Sequence, residues 1–275
     1  MNKINWYPGH MKKTKELISE NLKLVSAVIE VIDARIPKAS RNPDIAKLTK
    51  DKKRIVVLNK SDLADPARTK EWQEKLKKDN DFVLTVNANT GEGCRSIFDC
   101  FEKIKAEINE GKERKRQLRV MIVGIPNVGK SSLINRLTGS KPAKTGDRPG
   151  VTTGKQWITL QDGTMLLDTP GILWPDLDDQ ETAKDLAYCG SIKDEIMDLE
   201  TLALNFISKV SAMSPQLLID RYKLDGIGET DLETMESIAS KRGFVLSGKR
   251  IDYERTARTV LDEFRSGKIG RITLE

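Results

Sequence analysis

One run constrains this chain more than any other: Gly124-Ile-Pro-Asn-Val-Gly-Lys-Ser131, placed directly after the apolar stretch Val120–Val123 and opening a helix-like segment that runs to about Leu137. Its glycines let successive backbone N–H groups turn inward on a phosphate, and a helix N-terminus adds its positive pole. Lys130 would then reach the terminal phosphates and Ser131 would supply a hydroxyl to magnesium. A bare glycine turn before a helix would explain neither of those two residues. Asn127, Val128, Gly129, Lys130, Ser131 and Ser132 are therefore expected to hold the phosphates of a nucleoside triphosphate.

The surrounding sequence has the rhythm such a loop requires. Short apolar runs rich in β-branched residues recur at Val25–Ile32, Ile55–Leu58, Phe82–Val86 and Val120–Val123. Helix-like stretches separate them near Pro43–Lys50, Pro66–Lys78 and Gly93–Asn109, which predicts a mainly parallel sheet flanked by helices, an α/β fold. Gln156–Leu160 and Met165–Leu167 read as a hairpin turning at Asp162-Gly163. Beyond about Pro175 the pattern becomes helical, near Leu199–Ala212, Pro215–Tyr222, Asp231–Arg242 and Tyr253–Arg265, with Ser214 as a predicted N-cap before Pro215. We expect residues 1–175 to form the nucleotide domain, with residues 1–13 as a basic arm, and residues 176–275 to form a small all-helical C-terminal domain.

The base that is read follows from Asn59-Lys60-Ser61-Asp62, directly after the run Ile55–Leu58. A carboxylate at Asp62 can accept from both N1–H and the N2 amino group of guanine, a donor pair that adenine lacks. Asn59 would tie this loop to the phosphate loop, and the aliphatic stem of Lys60 would lie over the base. After the next strand, Asn87-Ala88-Asn89 occupies the place where GTPases present a backbone N–H to guanine O6. Both asparagines depart from the usual Ser-Ala-Lys, which leaves the Ala88 N–H as the expected contact. Asp168-Thr-Pro-Gly171 matches a DxxG element, with Asp168 holding magnesium through water and the Gly171 N–H sensing the γ-phosphate. Arg148-Pro-Gly-Val-Thr-Thr153 lies where the magnesium-completing switch threonine belongs.

These elements stand in an unusual order. GTPases ordinarily run from phosphate loop to switch threonine, DxxG, guanine loop and Ala loop. Here the last two come first, so the fold is expected to be a circularly permuted P-loop GTPase. The old termini would be joined through Asn109–Arg119, which carries five basic and two acidic residues and reads as a solvated connector or an RNA contact.

Charge and cysteine usage narrow the remaining classes. The net charge of +6 hides an asymmetry: residues 1–175 hold 33 basic and 21 acidic side chains, residues 176–275 hold 14 and 20. The basic excess favours a polyanionic partner. Three cysteines without paired spacing and a single histidine argue against a disulfide framework or a Cys/His zinc site, and no apolar run approaches the length of a spanning helix, so a cytoplasmic protein is expected, with no membrane and no disulfide partner.

The motif order, together with Asp33-Ala-Arg-Ile-Pro37, Trp6-Tyr-Pro-Gly-His-Met11 and the closing run Phe264–Leu274, resembles the bacterial ribosome biogenesis GTPases of the YlqF/RbgA type over essentially the whole chain. The resemblance implies GTP hydrolysis to GDP coupled to late maturation of the large (50S) ribosomal subunit, with rRNA and ribosomal proteins as partners. It favours Thr152 over Thr153 as the magnesium ligand, so Ser131, Thr152 and Asp168 form the expected Mg2+ set, and it implies a potassium ion held by Asn127. Ile172 stands where many GTPases carry a water-orienting glutamine, and an isoleucine cannot hydrogen bond. Unassisted turnover should therefore be slow, and His10 is the implied replacement, with RNA contact or simple solvation as its other readings. The aromatic and basic arm around Trp6 and Tyr7 suits either RNA stacking or packing on its own domain; Arg35 suits either rRNA contact or capping of the first strand. The alternative function is a GTPase acting in translation or tRNA modification.

Overall fold

The computed structural model describes residues 16, 18–139, 156–169, 171 and 179–275. Six strands form one sheet: Ala27–Asp33 (β1), Lys53–Asn59 (β2), Phe82–Thr85 (β3), Arg119–Val123 (β4), Gln156–Thr159 (β5) and Met165–Asp168 (β6). Their order is β3-β2-β1-β4-β6-β5, parallel except for the β5/β6 hairpin. The chain direction across the sheet reverses between β1 and β4. In open α/β sheets that reversal creates a crevice at the carboxyl edge of the strands, where ligands bind.

Burial explains why β1 reads as a continuous apolar run. All seven of its positions are buried, because helices cover both faces of a central parallel strand. Ile29, Val31, Ile55, Val57, Val120 and Ile122 point into one cluster, whereas Val28, Met121, Val123 and Leu167 belong to another, the alternation expected of a pleated strand. Of its two polar residues, Glu30 and Asp33, the first is paired with Arg41 at 3.1 Å.

The covering helices are Pro43–Leu48 (α1), Pro66–Lys77 (α2), Arg95–Asn109 (α3) and Lys130–Thr138 (α4). Helix α2 starts where Asp65 accepts from the Arg68 N–H at 2.8 Å, and Pro66 fills its first turn without losing a hydrogen bond. Helix α3 presents Ile97, Cys100, Phe101 and Ile104 to the core at helical spacing. Cys94, Cys100 and Cys189 are buried in the core as free thiols.

The C-terminal part is built from Gln180–Tyr188 (α5), Leu199–Met213 (α6), Pro215–Tyr222 (α7), Asp231–Arg242 (α8) and Tyr253–Arg265 (α9), with one isolated bridge between Val245 and Ile251. Helix α5 was not legible in the sequence, because its acid-rich surroundings mask a short apolar face. Asp179 caps it by accepting from the Glu181 N–H. The predicted Ser214 cap is corrected: helix α7 begins at Pro215, but the Ser214 side chain makes no capping bond. Helix α8 carries a full capping box between Thr230 and Glu233.

Helix α6 organises this part, burying Leu202, Ala203, Phe206, Ile207 and Val210. The Phe206 ring lies 5.3 Å from Tyr188 and 4.7 Å from Phe264. These side chains belong to the same continuous hydrophobic cluster as one face of the sheet. Arg265 fastens α9 to the end of α5, donating to the carbonyls of Ala187 and Tyr188 and pairing with Asp194 at 2.7 Å. Among the described residues no single helix is long and apolar enough to cross a membrane.

Candidate nucleotide site

Loops from the carboxyl ends of β1, β2, β3, β4 and β6 meet at one edge of the sheet. The phosphate loop leaves β4 and turns into α4 through Gly129, whose φ of +92° suits glycine. A Cβ there would stand 2.3 Å from the Asn59 amide nitrogen, so glycine is also a steric requirement of the neighbouring loop. Lys130 opens α4 and donates to the carbonyls of Gly124 (3.1 Å) and Ile125 (3.4 Å). Burial of its ammonium lowers its pKa to about 8, against the opposing influence of Asp168.

The base loop is tied to the phosphate loop as the sequence predicts. Asn59, buried at the end of β2, donates through Nδ2 to the Val128 carbonyl at 2.8 Å and accepts through Oδ1 from the Ala88 N–H at 3.0 Å. In this structure the Ala88 N–H, expected to face guanine O6, donates to Asn59. Asn87 does not copy the usual serine but builds the same bend, accepting from the N–H groups of Asn89 (2.9 Å) and Thr90 (3.2 Å). Arg136 of α4 donates to the carbonyls of Ala88 and Asn89, joining this loop to the phosphate-loop helix. Asp62 is exposed at the tip of the base loop.

Sequence reasoning did not foresee what supports that loop from below. Lys60 sits at φ +58° with its ammonium 2.9 Å from Asp33, at the end of β1. Arg35 closes the same carboxylate from the other side, through Nε at 3.0 Å and Nη2 at 2.8 Å. Burial alone would push the Asp33 carboxyl up, but the guanidinium and the ammonium override it and hold it well below the usual carboxylate range. Arg35 is 1% exposed. This excludes the rRNA contact and supports the strand-capping reading.

Asp168 ends β6 opposite Ile122 of β4, beside the strand that feeds the phosphate loop. Thr169 locks the turn by donating to the Ile122 carbonyl at 2.6 Å. Gly171 lies against the phosphate loop: a Cβ on it would come within 2.9 Å of Lys130 Nζ and 3.1 Å of the Pro126 nitrogen. The C-terminal part also reaches this loop, because Asn127 donates to the Gly190 carbonyl at 2.6 Å and Ser191 to the Pro126 carbonyl at 3.0 Å. His10, Thr152, Thr153 and Ile172 lie outside the described residues, as do Trp6 and Tyr7.

A phosphate loop at the reversal point of the sheet, bound by one asparagine to a base loop that precedes it in the chain, defines a circularly permuted P-loop GTPase. A family model described as 50S ribosome-binding GTPase matches residues 119–233, starting at β4 and leaving out the base loop at Asn59–Asp62. A ribosome biogenesis GTPase A from Priestia megaterium is 43% identical over 99% of this chain and 96% of its own length. The crystal structure of GNP-bound YlqF from T. maritima matches with a TM-score of 0.68 at 30% identity, covering 96% of this chain and 97% of that one; a GDP-bound structure of the same protein gives 0.66, again at 30% identity, over 94% and 98%. The chain belongs to the ribosome biogenesis GTPase A family. The translation and tRNA-modification alternative finds no support among these relatives.

Proposed function

We propose that this GTPase uses its nucleotide cycle to drive late assembly of the large ribosomal subunit in the cytoplasm, binding subunit precursors through rRNA and ribosomal proteins. The observation that carries the nucleotide part is the pair of hydrogen bonds made by the Asn59 side chain, which sets the base loop and the phosphate loop at a fixed separation. Asp62 then reads guanine while Lys130 and the N–H groups at the start of α4 take the phosphates. Residues 176–275 are the segment proposed to contact the ribosome. Its bonds to Pro126 and Asn127 give it a direct line to the nucleotide.

Ser131 and Asp168 offer hydroxyl and carboxylate oxygens beside the phosphate loop, a donor set that suits a hard divalent cation, and Thr152 would complete it. Mg2+ held there would neutralise charge on the β- and γ-phosphates. Asn127 uses its amide nitrogen on Gly190, which leaves Oδ1 as the atom to face a potassium ion. Gly171 is proposed to sense the γ-phosphate through its N–H. His10 is proposed to orient the attacking water in place of the glutamine that Ile172 displaces.

The test is GTP turnover with and without purified large subunits and their precursors, in potassium and in sodium, with co-sedimentation in a non-hydrolysable analogue. Stimulated turnover and analogue-dependent binding are expected. Turnover unchanged by subunits, with no co-sedimentation, would overturn the ribosomal part, and equal rates in the two salts would remove the potassium ion.

A further inference from the structure

After helix α9 the chain turns at Gly267 and returns to the nucleotide edge of the sheet, where residues 271–274 run alongside the base loop. The backbone carbonyls of Ser61, Leu63 and Ala64, on either side of Asp62, are all held by this returning segment. Arg271 donates through Nη2 to the Ser61 carbonyl at 2.9 Å and through Nε to the Ala64 carbonyl at 2.9 Å. The Ile272 N–H donates to the Leu63 carbonyl at 3.1 Å, and the Asp65 N–H donates to the Thr273 hydroxyl at 3.2 Å. Gly267 approaches so closely that a Cβ on it would stand 2.5 Å from a methyl carbon of Leu63.

The consequence is geometric. Asp62 itself is exposed and makes its contact from the tip of a loop whose first residue, Lys60, already occupies a left-handed conformation. A carboxylate that must accept two parallel hydrogen bonds needs its backbone fixed to within a fraction of an ångström. The guanidinium fork spans Asp62, gripping the residue before it and the second residue after it, and its planar geometry suits two carbonyls at once. A lysine ammonium is a single point on a flexible stem and lacks the two-nitrogen span that reaches both carbonyls from one rigid plane.

We propose that Arg271 is a specificity-positioning residue, holding the Asp62 loop in the shape that selects guanine. Base selection in this chain is thereby shared between the sheet and its C-terminal segment. The inference rests on the reading of Asp62 as the guanine reader, and the experiment separates the two.

Affinities of the full-length chain for GDP, IDP and XDP are measured by titration calorimetry for the wild type, Arg271→Ala, Arg271→Lys and Asp62→Asn. IDP lacks the N2 amino group, so the GDP-to-IDP ratio reports the second bond to Asp62. Arg271→Ala should weaken GDP about tenfold and bring the ratio toward one, with Arg271→Lys in between. General destabilisation would weaken GDP and IDP equally and leave the ratio at its wild-type value, which would overturn the proposal. Arg271 is exposed, so its removal opens no cavity, and Arg271→Lys keeps the test available if the alanine variant is poorly produced. Asp62→Asn should move the preference from GDP to XDP. If it does not, the reading of Asp62 itself fails, whatever the Arg271 variants do.

Discussion

Asn59 and Val128 are 69 positions apart in the chain and are joined by a buried amide-to-carbonyl hydrogen bond of 2.8 Å. The asparagine ends β2 and the valine lies inside the phosphate loop, so one side chain sets the distance between the base-reading and phosphate-binding halves of the site. Its other end takes the Ala88 N–H, which brings a third loop into the same arrangement.

Asn59→Ala should therefore leave a buried carbonyl and a buried N–H without partners, at about 1–3 kcal/mol for each group. We expect a lower melting temperature and GDP affinity reduced at least tenfold. Asn59→Asp should keep the bond from Ala88 but place a carboxylate against the Val128 carbonyl, and should bind GDP no better than the alanine variant. Calorimetric titration together with thermal unfolding checks both.

Asp33 is enclosed between Arg35 and Lys60, and removing its charge leaves a buried guanidinium uncompensated. Asp33→Asn should lose about 3–5 kcal/mol of stability at neutral pH. The sign with pH follows from the depressed carboxyl of the folded state. Its stabilisation is complete above the ordinary aspartate pKa of about 4 and is lost as pH falls below it, at up to about 1.4 kcal/mol per pH unit. Urea unfolding between pH 2 and 6 should show that component in the wild type and its absence in Asp33→Asn.

Lys130 has its pKa lowered from about 10.5 to about 8 by burial, and phosphates brought against it would favour the charged form. Nucleotide binding should then take up protons, about half a proton at pH 8 and little at pH 7. Calorimetry of GDP binding in buffers of different ionisation enthalpy measures this directly, and Lys130→Ala should abolish it. In the absence of nucleotide the unfolded lysine binds more protons than the folded one between pH 8 and 10.5, so stability contributed by this residue should rise with pH across that window and level off above it.

Phe206 lies between Tyr188 and Phe264 in a cluster that is continuous with the sheet. Phe206→Ala should cost about 3–5 kcal/mol. Because the cluster is shared, denaturant unfolding monitored by far-ultraviolet circular dichroism and by tryptophan fluorescence should remain a single coincident transition, shifted to a lower midpoint. Two separated transitions would show that the C-terminal helices and the sheet unfold independently.

The sequence by itself determined the phosphate loop, the parallel α/β rhythm, the permuted order and the Asn59 tie. The first two are local, because apolar periodicity and glycine placement act over one or two turns of chain; the motif order and the Asn59 tie, which spans 69 positions, follow from matching the motifs to those of GTPases. It also located helices α7, α8 and α9 at their observed limits, from their apolar spacing and, for α7, the start signal at Pro215. Only the tertiary structure decided the rest. Arg35 reads equally as a surface cation or a strand cap until Asp33, Lys60 and the Phe264 and Arg265 carbonyls are brought around it, the latter from more than two hundred residues away. The Ala88 N–H finds the Asn59 side-chain Oδ1 only once folding brings their two loops together. Arg271 reads as one basic residue among many until the chain turns back on the guanine loop. Each of these roles depends on a partner supplied by long-range packing, and no local pattern records a partner that distant.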